Sequence, residues 1–240
     1  MRNSGIENLW CGISKTEIPT TENRIKLSPK AIFLLQNYKQ DKQLIKKRLA
    51  EFKKVRQAGR NRLFAELCFC LCTPQSKAVN CDEAVSRLVK SGALFDGCSR
   101  RISKYLKGLV RFHNAKAKYI VEAREKFCNA GKWDRHHFEK MVSVPIFRQW
   151  LVKNIKGLGL KEASHFLRNI GLGGQLAIID RHILTNLKRY GVINNVPQSI
   201  SKKQYLELEK KMQQFSKDIK IPLPDLDLLF WSSQTGHIFK

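Results

Sequence analysis

The chain has 240 residues and 42% hydrophobic content, so it can bury a substantial core and lacks the composition of a disordered polymer. Its 45 Lys and Arg against 20 Asp and Glu give a formal net charge of +25, spread along the chain, which favours a polyanion as the partner. No apolar run approaches the roughly 18 residues of a membrane span and no apolar signal segment follows Met1, so we expect a soluble, cytoplasmic protein without a membrane partner.

The first part of the chain divides into an extension and a run of helices. Residues 1–27 show no sustained periodicity and are predicted to be an N-terminal extension, so that one domain covers residues 28–240. The Ser-Pro pair at 28–29 suits the start of a helix whose apolar stripe includes Ile32. A second, strongly basic helix is predicted over residues 44–55.

A denser apolar pattern begins near residue 61 and predicts a central buried helix. Its members recur at helical spacing and are Leu63, Phe64, Leu67, Cys68 and Leu71. Thr73 and Pro74 end this helix. The next helix is predicted to run to about Gly92, so Gln75 lies at the junction between two helices.

The rest of the chain continues the helical pattern. Helices are predicted over residues 102–109, 115–127, 133–150 and 201–215. The break at 110–114 should expose Phe112, Pro145 should interrupt the third of these segments, and a last helix follows Pro222 and Pro224. No stretch alternates apolar and polar residues as a strand does, so the predicted fold class is all-α.

The seven cysteines, at positions 11, 68, 70, 72, 81, 98 and 128, are odd in number and include no C-x-x-C pair. That count indicates a reducing, intracellular setting. Cysteines 68, 70 and 72 lie inside an apolar run, where small buried side chains are a better interpretation than metal ligands. We therefore expect no metal site and no cofactor.

Residues 154–161 have the pattern of a tight turn that leads into a helix. Gly157 and Gly159 allow the backbone to turn with its N–H groups exposed, and Lys161 stands at the start of the following helix. Such a turn can hold one phosphate through backbone N–H groups and the helix N-terminus. The Gly-x-Gly pattern occurs in many loops, so on spacing alone an ordinary turn remains open.

Two polar residues near this turn each have a structural and a chemical interpretation. Lys161 is a solvated helix residue, a phosphate contact, or a nucleophile whose amine must lose its proton, which cationic neighbours such as Lys156 and Arg181 would favour. Asp180, nineteen residues later, is the N-cap of the next helix, a catalytic carboxylate, or both. If they face one cleft, an amine and a carboxylate suffice for cleavage of a glycosidic bond.

Two segments carry a resemblance to a known family. Residues 159–171 (GLKEASHFLRNIG) and 177–184 (AIIDRHIL) are similar to the helix–hairpin–helix DNA glycosylase superfamily. More closely, they resemble the archaeal type of 8-oxoguanine DNA glycosylase/AP lyase, which lacks the β domain of its eukaryotic cousins, and the likeness extends over about residues 29–240. It implies a two-lobed helical glycosylase fold with an interlobe cleft, acting on double-stranded DNA that contains 8-oxoguanine. We expect a monomer.

The resemblance also implies roles for individual residues. By position, Lys161 is the nucleophile and Asp180 its partner. Phe112 and Trp231 would sandwich the flipped base, and the carboxylate of the final Lys240 would contribute to its recognition. Stacking faces and edge hydrogen bonds are what a flipped purine has lost from the duplex. Without the resemblance, core packing explains Phe112 and Trp231 equally well.

Further contacts are proposed with less support from the family pattern. Asp227 is a pocket candidate, although a solvated helix carboxylate is the simpler interpretation. Candidate DNA contacts are Gln75, Arg111, Lys156, Gly157, Gly159, Arg181 and His182. Gln75 corresponds to a polar residue that fills the gap in the duplex, but its Thr-Pro-Gln-Ser setting departs from the Thr-Ala-Asn of some members. It could instead only bond to the helix backbone.

Three functions remain open from the sequence. The leading hypothesis is a bifunctional glycosylase that excises 8-oxoguanine through a lysine Schiff base and nicks the strand by β-elimination. A second keeps that mechanism and changes the damaged base. A third is a non-catalytic duplex-binding module, for which the charge and hairpin suffice. Charge alone would equally fit a solvated basic surface or a ribosome-associated protein. No cysteine follows Cys128, which argues against the branches that carry a four-cysteine iron–sulfur cluster.

Overall fold

A computed structural model describes residues 29–129 and 143–240, with the backbone alone described at 128 and 129. Over these ranges the chain forms eleven helices and no strand, as predicted for an all-α protein. The helices are α1 (Pro29–Gln57), α2 (Arg60–Cys72), α3 (Ala78–Lys90), α4 (Ala93–Asp96), α5 (Ser99–Leu106), α6 (His113–Asn129), α7 (Val144–Asn154), α8 (Leu160–Asn169), α9 (Arg181–Arg189), α10 (Lys202–Asp218) and α11 (Leu223–Thr235). None of the helices described is long and apolar enough to cross a membrane.

The helices pack into two lobes, each with its own hydrophobic core. The first core is formed by α2 to α8, with fully buried Phe64, Phe69 and Phe166. The second is formed by α1, α9, α10 and α11 around residues such as Phe230 and Met212. The middle of the chain therefore builds one lobe, and its two ends together build the other.

The central buried helix is confirmed in α2. Ten of its thirteen residues are buried, including the three cysteines of the 68–72 segment, which are fully buried. Burial raises the pKa of the Cys70 thiol well above its usual value and does the same for Cys72. These cysteines are therefore packed as neutral apolar side chains, as expected.

The first helix differs from the prediction. Residues 29–57 form one continuous helix, whereas the sequence had indicated two, and Ile32 is 48% exposed instead of buried. The buried stripe is Ala31, Leu34, Tyr38, Ile45 and Phe52. The polar segment between the two predicted helices contains no Gly or Pro and is rich in Lys and Gln, so nothing in it ends a helix.

Two features near the middle of the chain concern helix starts. The residues after α3 contain the short helix α4, which was not predicted. Pro145 lies in the first turn of α7, where a missing N–H costs nothing, and whether it also ends a preceding helix depends on residues outside the described ranges. The predicted extension 1–27, the N-cap at residue 28 and the segment 133–142 lie outside the described residues.

Candidate active site

The turn between α7 and α8 forms the predicted hairpin. Gly157 has φ of 89°, and a Cβ added there would lie 2.6 Å from Cδ2 of Tyr119, so both conformation and space require glycine. The Gly159 N–H donates to Oε2 of Glu162 at 3.2 Å. One hairpin N–H that could have held a phosphate is thus used within the protein in the absence of DNA.

Lys161 lies in the first turn of α8 with its side chain 28% exposed. Its Nζ forms an ion pair with Oε1 of Glu162 at 3.0 Å. The cationic neighbours expected beside it are occupied elsewhere. Lys156 pairs with Glu122 at 3.5 Å, and Arg181 donates to the carbonyls of residues 197 and 198 at 2.7 and 2.8 Å.

Asp180 is the N-cap of α9, as predicted. Its Oδ1 accepts a hydrogen bond from the Ile183 N–H at 2.8 Å, and the side chain is half-buried. The bond holds the carboxylate at the helix N-terminus, where the helix dipole favours its charge. The second carboxylate oxygen makes no hydrogen bond to the described residues and remains available to a ligand.

The apolar segment 176–179, the connector between α8 and α9, ends next to Asp180 and is anchored by α10. Oε1 of Glu209 accepts a hydrogen bond from the Ala177 N–H at 2.9 Å. The Tyr205 hydroxyl donates to the Ala177 carbonyl at 2.8 Å and accepts from the Ile179 N–H at 3.2 Å. The main chain leading to Asp180 is therefore held at both of these residues.

The same Glu209 ties the connector to the hairpin helices. Arg148 of α7 donates to the two carboxylate oxygens of Glu209 at 2.6 and 2.8 Å, and to Oγ of Ser164 in α8 at 3.0 Å. Arg148 and Glu209 are both about 5% exposed. This buried bidentate ion pair joins the helix that carries Lys161 to the segment that carries Asp180. Sequence reasoning missed it because the partners are 61 positions apart.

Lys161 and Asp180 line the same cavity, which has a volume of about 560 Å³ and lies between the two lobes. The other predicted site residues that line it are Gln75, Arg181, His182, Asp227, Trp231 and Lys240. The remaining lining residues are Thr73, Ser76, Lys77, Ala78, Val79, His165, Arg168, Ile178, Ile183, Thr235 and His237. The cleft thus brings together residues from four separate segments of the chain, at 73–79, 161–168, 178–183 and 227–240.

Phe112 and Arg111 do not line this cavity. Phe112 is 55% exposed, as predicted for the break between α5 and α6, and the Arg111 guanidinium lies 5.3 Å from the centre of its ring. The Arg111 N–H donates to Oγ of Ser76, which does line the cavity, so the loop is joined to the cavity rim.

Gln75 and Phe112 share an unusual backbone conformation. They have φ of 55° and 57°, and among the described residues only Lys220 is another non-glycine with positive φ. Such strained positions persist only where the surrounding structure holds them. At Gln75 that support comes from buried Lys116, whose Nζ donates to Oγ of Ser76 at 3.2 Å and to the carbonyls of residues 72 and 74, both at 2.7 Å.

The floor of the cavity is polar and buried. His165 and Arg168 follow Lys161 at i+4 and i+7, so they lie on one face of α8. Burial, reinforced by the charges of Arg168 and Lys161, lowers the pKa of His165 well below its usual value, and its Nε2 has no hydrogen-bond partner among the described residues. The sequence signal for both was a polar stripe on an otherwise apolar helix.

Asp227 is buried, so the solvated interpretation of this carboxylate is wrong. Its Oδ2 lies 3.3 Å from Nη1 of Arg168, an ion pair without a hydrogen bond at that nitrogen. Burial raises the pKa of Asp227 to about 6, and the attraction of Arg168 only partly opposes it, while the negative charge of Asp180 adds to the rise. A neutral carboxyl at this position could donate a hydrogen bond to a ligand.

Trp231 belongs to an aromatic cluster on the second lobe. Its ring is half-buried, with centroid distances of 6.4 Å to His182, 5.4 Å to His237 and 6.0 Å to Phe239. The stack with Phe239 has an interplanar angle of 29°. Because Trp231 also lines the cavity, its ring can offer a stacking face to a planar ligand.

Comparison with known proteins identifies similar sequences and folds. A sequence profile described as "8-oxoguanine DNA glycosylase" matches residues 45–221. An 8-oxoguanine DNA glycosylase/AP lyase from Fusobacterium nucleatum is 44% identical over 205 residues, covering 85% of this chain and 94% of that protein. One from Methanocaldococcus jannaschii is 37% identical over 204 residues, covering 83% and 93%.

Solved structures give the same result. The crystal structure of the Methanocaldococcus jannaschii 8-oxoguanine glycosylase/lyase in complex with a 15mer DNA containing 8-oxoguanine superposes with a TM-score of 0.77 at 32% identity, covering 87% of this chain and 100% of that one. The 8-oxoguanine DNA glycosylase of Thermotoga maritima also gives 0.77, at 30% identity, covering 88% and 98%.

Proposed function

The chain belongs to the 8-oxoguanine DNA glycosylase family, and from that premise we propose that it excises 8-oxoguanine from double-stranded DNA and cleaves the strand at the abasic site. The observation that carries the proposal is that Lys161 and Asp180 line one interlobe cavity together with Trp231. A binding module would need the hairpin and the positive charge, but not an amine and a carboxylate in one cleft.

In the proposed reaction, the deprotonated Nζ of Lys161 attacks C1′ of the damaged nucleotide as the bond from C1′ to the base breaks. The base leaves with the bonding electrons and takes up a proton. The ionised Asp180 stabilises the positive charge that develops on the sugar. Glu162, 3.0 Å from the amine, is the nearest recorded carboxylate and can accept its proton before attack.

The covalent intermediate then rearranges and eliminates. The bond from C1′ to the ring oxygen breaks, which gives a Schiff base between C1′ and Nζ of Lys161. A proton leaves C2′, and the 3′ phosphate departs with the electrons of its bond to C3′. These steps need no metal or redox partner, in keeping with the expectation that the protein uses no cofactor.

The rest of the cavity suits the extruded base. We propose that Trp231 stacks on it, that Phe112 approaches its opposite face from the rim, and that Asp227 and Lys240 contact its edge. Arg111 and Gln75 stand at the rim, where the duplex would be opened. The exposed hairpin at Gly157 and Gly159 with Lys156, and the exposed Arg181 beside His182, are proposed to contact the DNA backbone.

The organisation of the protein is proposed on the same basis. Residues 28–240 would form the catalytic domain, with residues 1–27 as an extension. We propose that the protein acts as a monomer inside the cell, in the compartment that holds the DNA. Each lobe has its own core within one chain, and the candidate site is built from a single copy.

Trapping with borohydride tests the proposed chemistry. On a duplex with one 8-oxoguanine, reduction of the Schiff base should give a stable covalent adduct that is absent for Lys161→Gln. Lys153→Gln is a matched control, since it removes an exposed lysine in the last turn of α7, just before the hairpin, and should keep the adduct. An adduct formed only on a duplex with another damaged base would identify that base as the substrate instead of 8-oxoguanine. Binding without an adduct on any damaged duplex would support the binding module instead.

A further inference from the structure

The segment after α11 folds back and bridges the two lobes, with the Lys240 ammonium as its charged contact. Gly236 has φ of 81° and ends the helix, which allows the chain to reverse. Nζ of Lys240 then lies 2.6 Å from Oδ1 of Asp82 in α3 and 3.4 Å from Oε2 of Glu66 in α2. It also lies 4.4 Å from the centre of the Phe69 ring. The last segment of the second lobe is thus bound to the first lobe by an ammonium group, and its Phe239 also packs against the core of that lobe.

Glu66 is placed to hold this ammonium firmly. The carboxylate is 2% exposed, and its other oxygen accepts a hydrogen bond from Nδ2 of Asn169 at 2.7 Å. Asn169 stands at the end of α8, the helix that begins with the lysine nucleophile proposed above. A buried anion is costly without partners, so the ion pair with the Lys240 ammonium stabilises the Glu66 carboxylate as well as the lysine.

The residues just before Lys240 connect it to the wall of the cavity. His237 and Phe239 both pack against the Trp231 ring, and His237 and Lys240 line the cavity themselves. The segment 237–240 is therefore held at one end by the ammonium and forms the support of the tryptophan at the other.

We propose that Glu66 and Asp82 are positioning residues for base recognition: by holding the Lys240 ammonium they fix residues 237–240, and through them the Trp231 ring, in the arrangement that accepts the extruded base. The inference rests on the proposed function and assigns a task to the Lys240 side chain, separate from any contact that its main chain makes with the base. Among the described contacts, neither carboxylate is bonded to the amine of Lys161.

The proposal separates two steps that use the same lysine nucleophile. Excision needs the base to be held, and a displacement of about 1 Å in a positioning group can reduce a rate on the order of a hundredfold. Cleavage at a preformed abasic site needs no base, so it should not depend on the segment 237–240. A change confined to excision is thus the signature of positioning, whereas a change in both steps is the signature of a damaged fold.

The test uses the full chain and two duplexes, one with 8-oxoguanine opposite cytosine and one with an abasic site at the same position. Single-turnover rates are measured for Lys240→Met, Lys240→Arg and Asp82→Asn. Glu83→Gln is the matched control, because it removes the next carboxylate of α3, which pairs with Arg87 instead of Lys240. Asp82 is preferred to Glu66 because it is 37% exposed and its loss leaves no buried group unpaired.

We expect Lys240→Met to lower the excision rate by about tenfold or more and Asp82→Asn by a smaller factor, with abasic cleavage within about twofold of wild type. Lys240→Arg should recover most of the lost rate, and Glu83→Gln should behave as wild type. Unchanged excision in Lys240→Met, or an equal loss on both duplexes, would overturn the inference. Inactivity of the wild-type protein on both duplexes would instead refute the proposed function.

Discussion

Replacement of Glu209 by alanine removes one partner of the buried ion pair that connects the hairpin helices to the connector. Both partners are about 5% exposed, and Arg148 makes two short bonds to this carboxylate. The substitution leaves the guanidinium buried with only the bond to Ser164 recorded, and it leaves the Ala177 N–H without its acceptor. Loss of one partner from such a pair destabilises proteins by about 3–5 kcal/mol.

A loss of about 3–5 kcal/mol is large relative to the total free energy of unfolding. The free energy of unfolding of a domain is roughly 5–15 kcal/mol, so Glu209→Ala should remove a third or more of a typical value. For a chain of this size the melting temperature should fall by about 6–20 °C, at roughly 2–4 °C per kcal/mol. Urea unfolding followed by helical circular dichroism, together with a thermal scan, measures both quantities.

Two further variants make this prediction specific. Glu83→Ala breaks an exposed i,i+4 pair and should cost about 0.5 kcal/mol or less. The double variant Arg148→Met, Glu209→Leu replaces the pair by apolar side chains and should regain most of the loss. A loss below about 1 kcal/mol in Glu209→Ala, or a loss equal to that of Glu83→Ala, would refute the reasoning that this pair holds the site together.

Three further predictions concern residues in or beside the cavity. Asp180→Asn should stay folded and bind DNA, because asparagine is also a good N-cap, while excision falls by about a hundredfold or more; unchanged excision in single-turnover assays would remove Asp180 from the mechanism. For Asp227, the pKa in the folded protein, about 6, lies above the ordinary value of 3.8. Between these two pH values the folded protein keeps a proton that the unfolded chain has released. The contribution of this group to stability is therefore complete below about pH 4 and is lost as the pH rises to about 6. Urea midpoints across that window should therefore fall less steeply with rising pH in Asp227→Asn than in wild type, and parallel curves would contradict the assignment. Gly157→Ala should destabilise the protein by about 1–2 kcal/mol and weaken duplex binding, because the backbone is left-handed there and the new methyl meets Tyr119; retained stability and retained affinity in a fluorescence titration would argue against a fixed hairpin.

The local features of the site could be predicted from the sequence. The glycines, the helix start at Lys161 and the N-cap at Asp180 all depend on neighbouring residues, and each is found where the pattern indicated. That distant residues meet in one cavity could not be predicted from periodicity. That Trp231 and Lys240 reach the cavity of Lys161 was implied by family resemblance alone, since nothing in spacing relates positions so far apart.

Other parts of the site could not be predicted from local pattern. Lys156 and Arg181 have partners of their own that a linear sequence does not show, and their effect on Lys161 stays a prediction. His165 was passed over because a lone histidine on an apolar helix is usually a core residue. Arg148 was not singled out, because nothing in its local pattern indicates a carboxylate 61 positions away. Phe112 was correctly predicted to be exposed, but its distance from the cavity lining could not be foreseen.

The packing of α1 against α11 has a consequence for synthesis on the ribosome. The Tyr38 hydroxyl donates to Oδ2 of Asp225 at 2.7 Å, across 187 positions, and Lys46 pairs with the same carboxylate. When the nascent chain emerges, α1 comes first but finds its partners only after the final helix has been made. The described helices of the first lobe, within residues 60–129 and 143–169, are all made much earlier. We therefore expect the middle of the chain to become compact first during synthesis, while α1 still lacks its packing partners. The cleft between the lobes should form last.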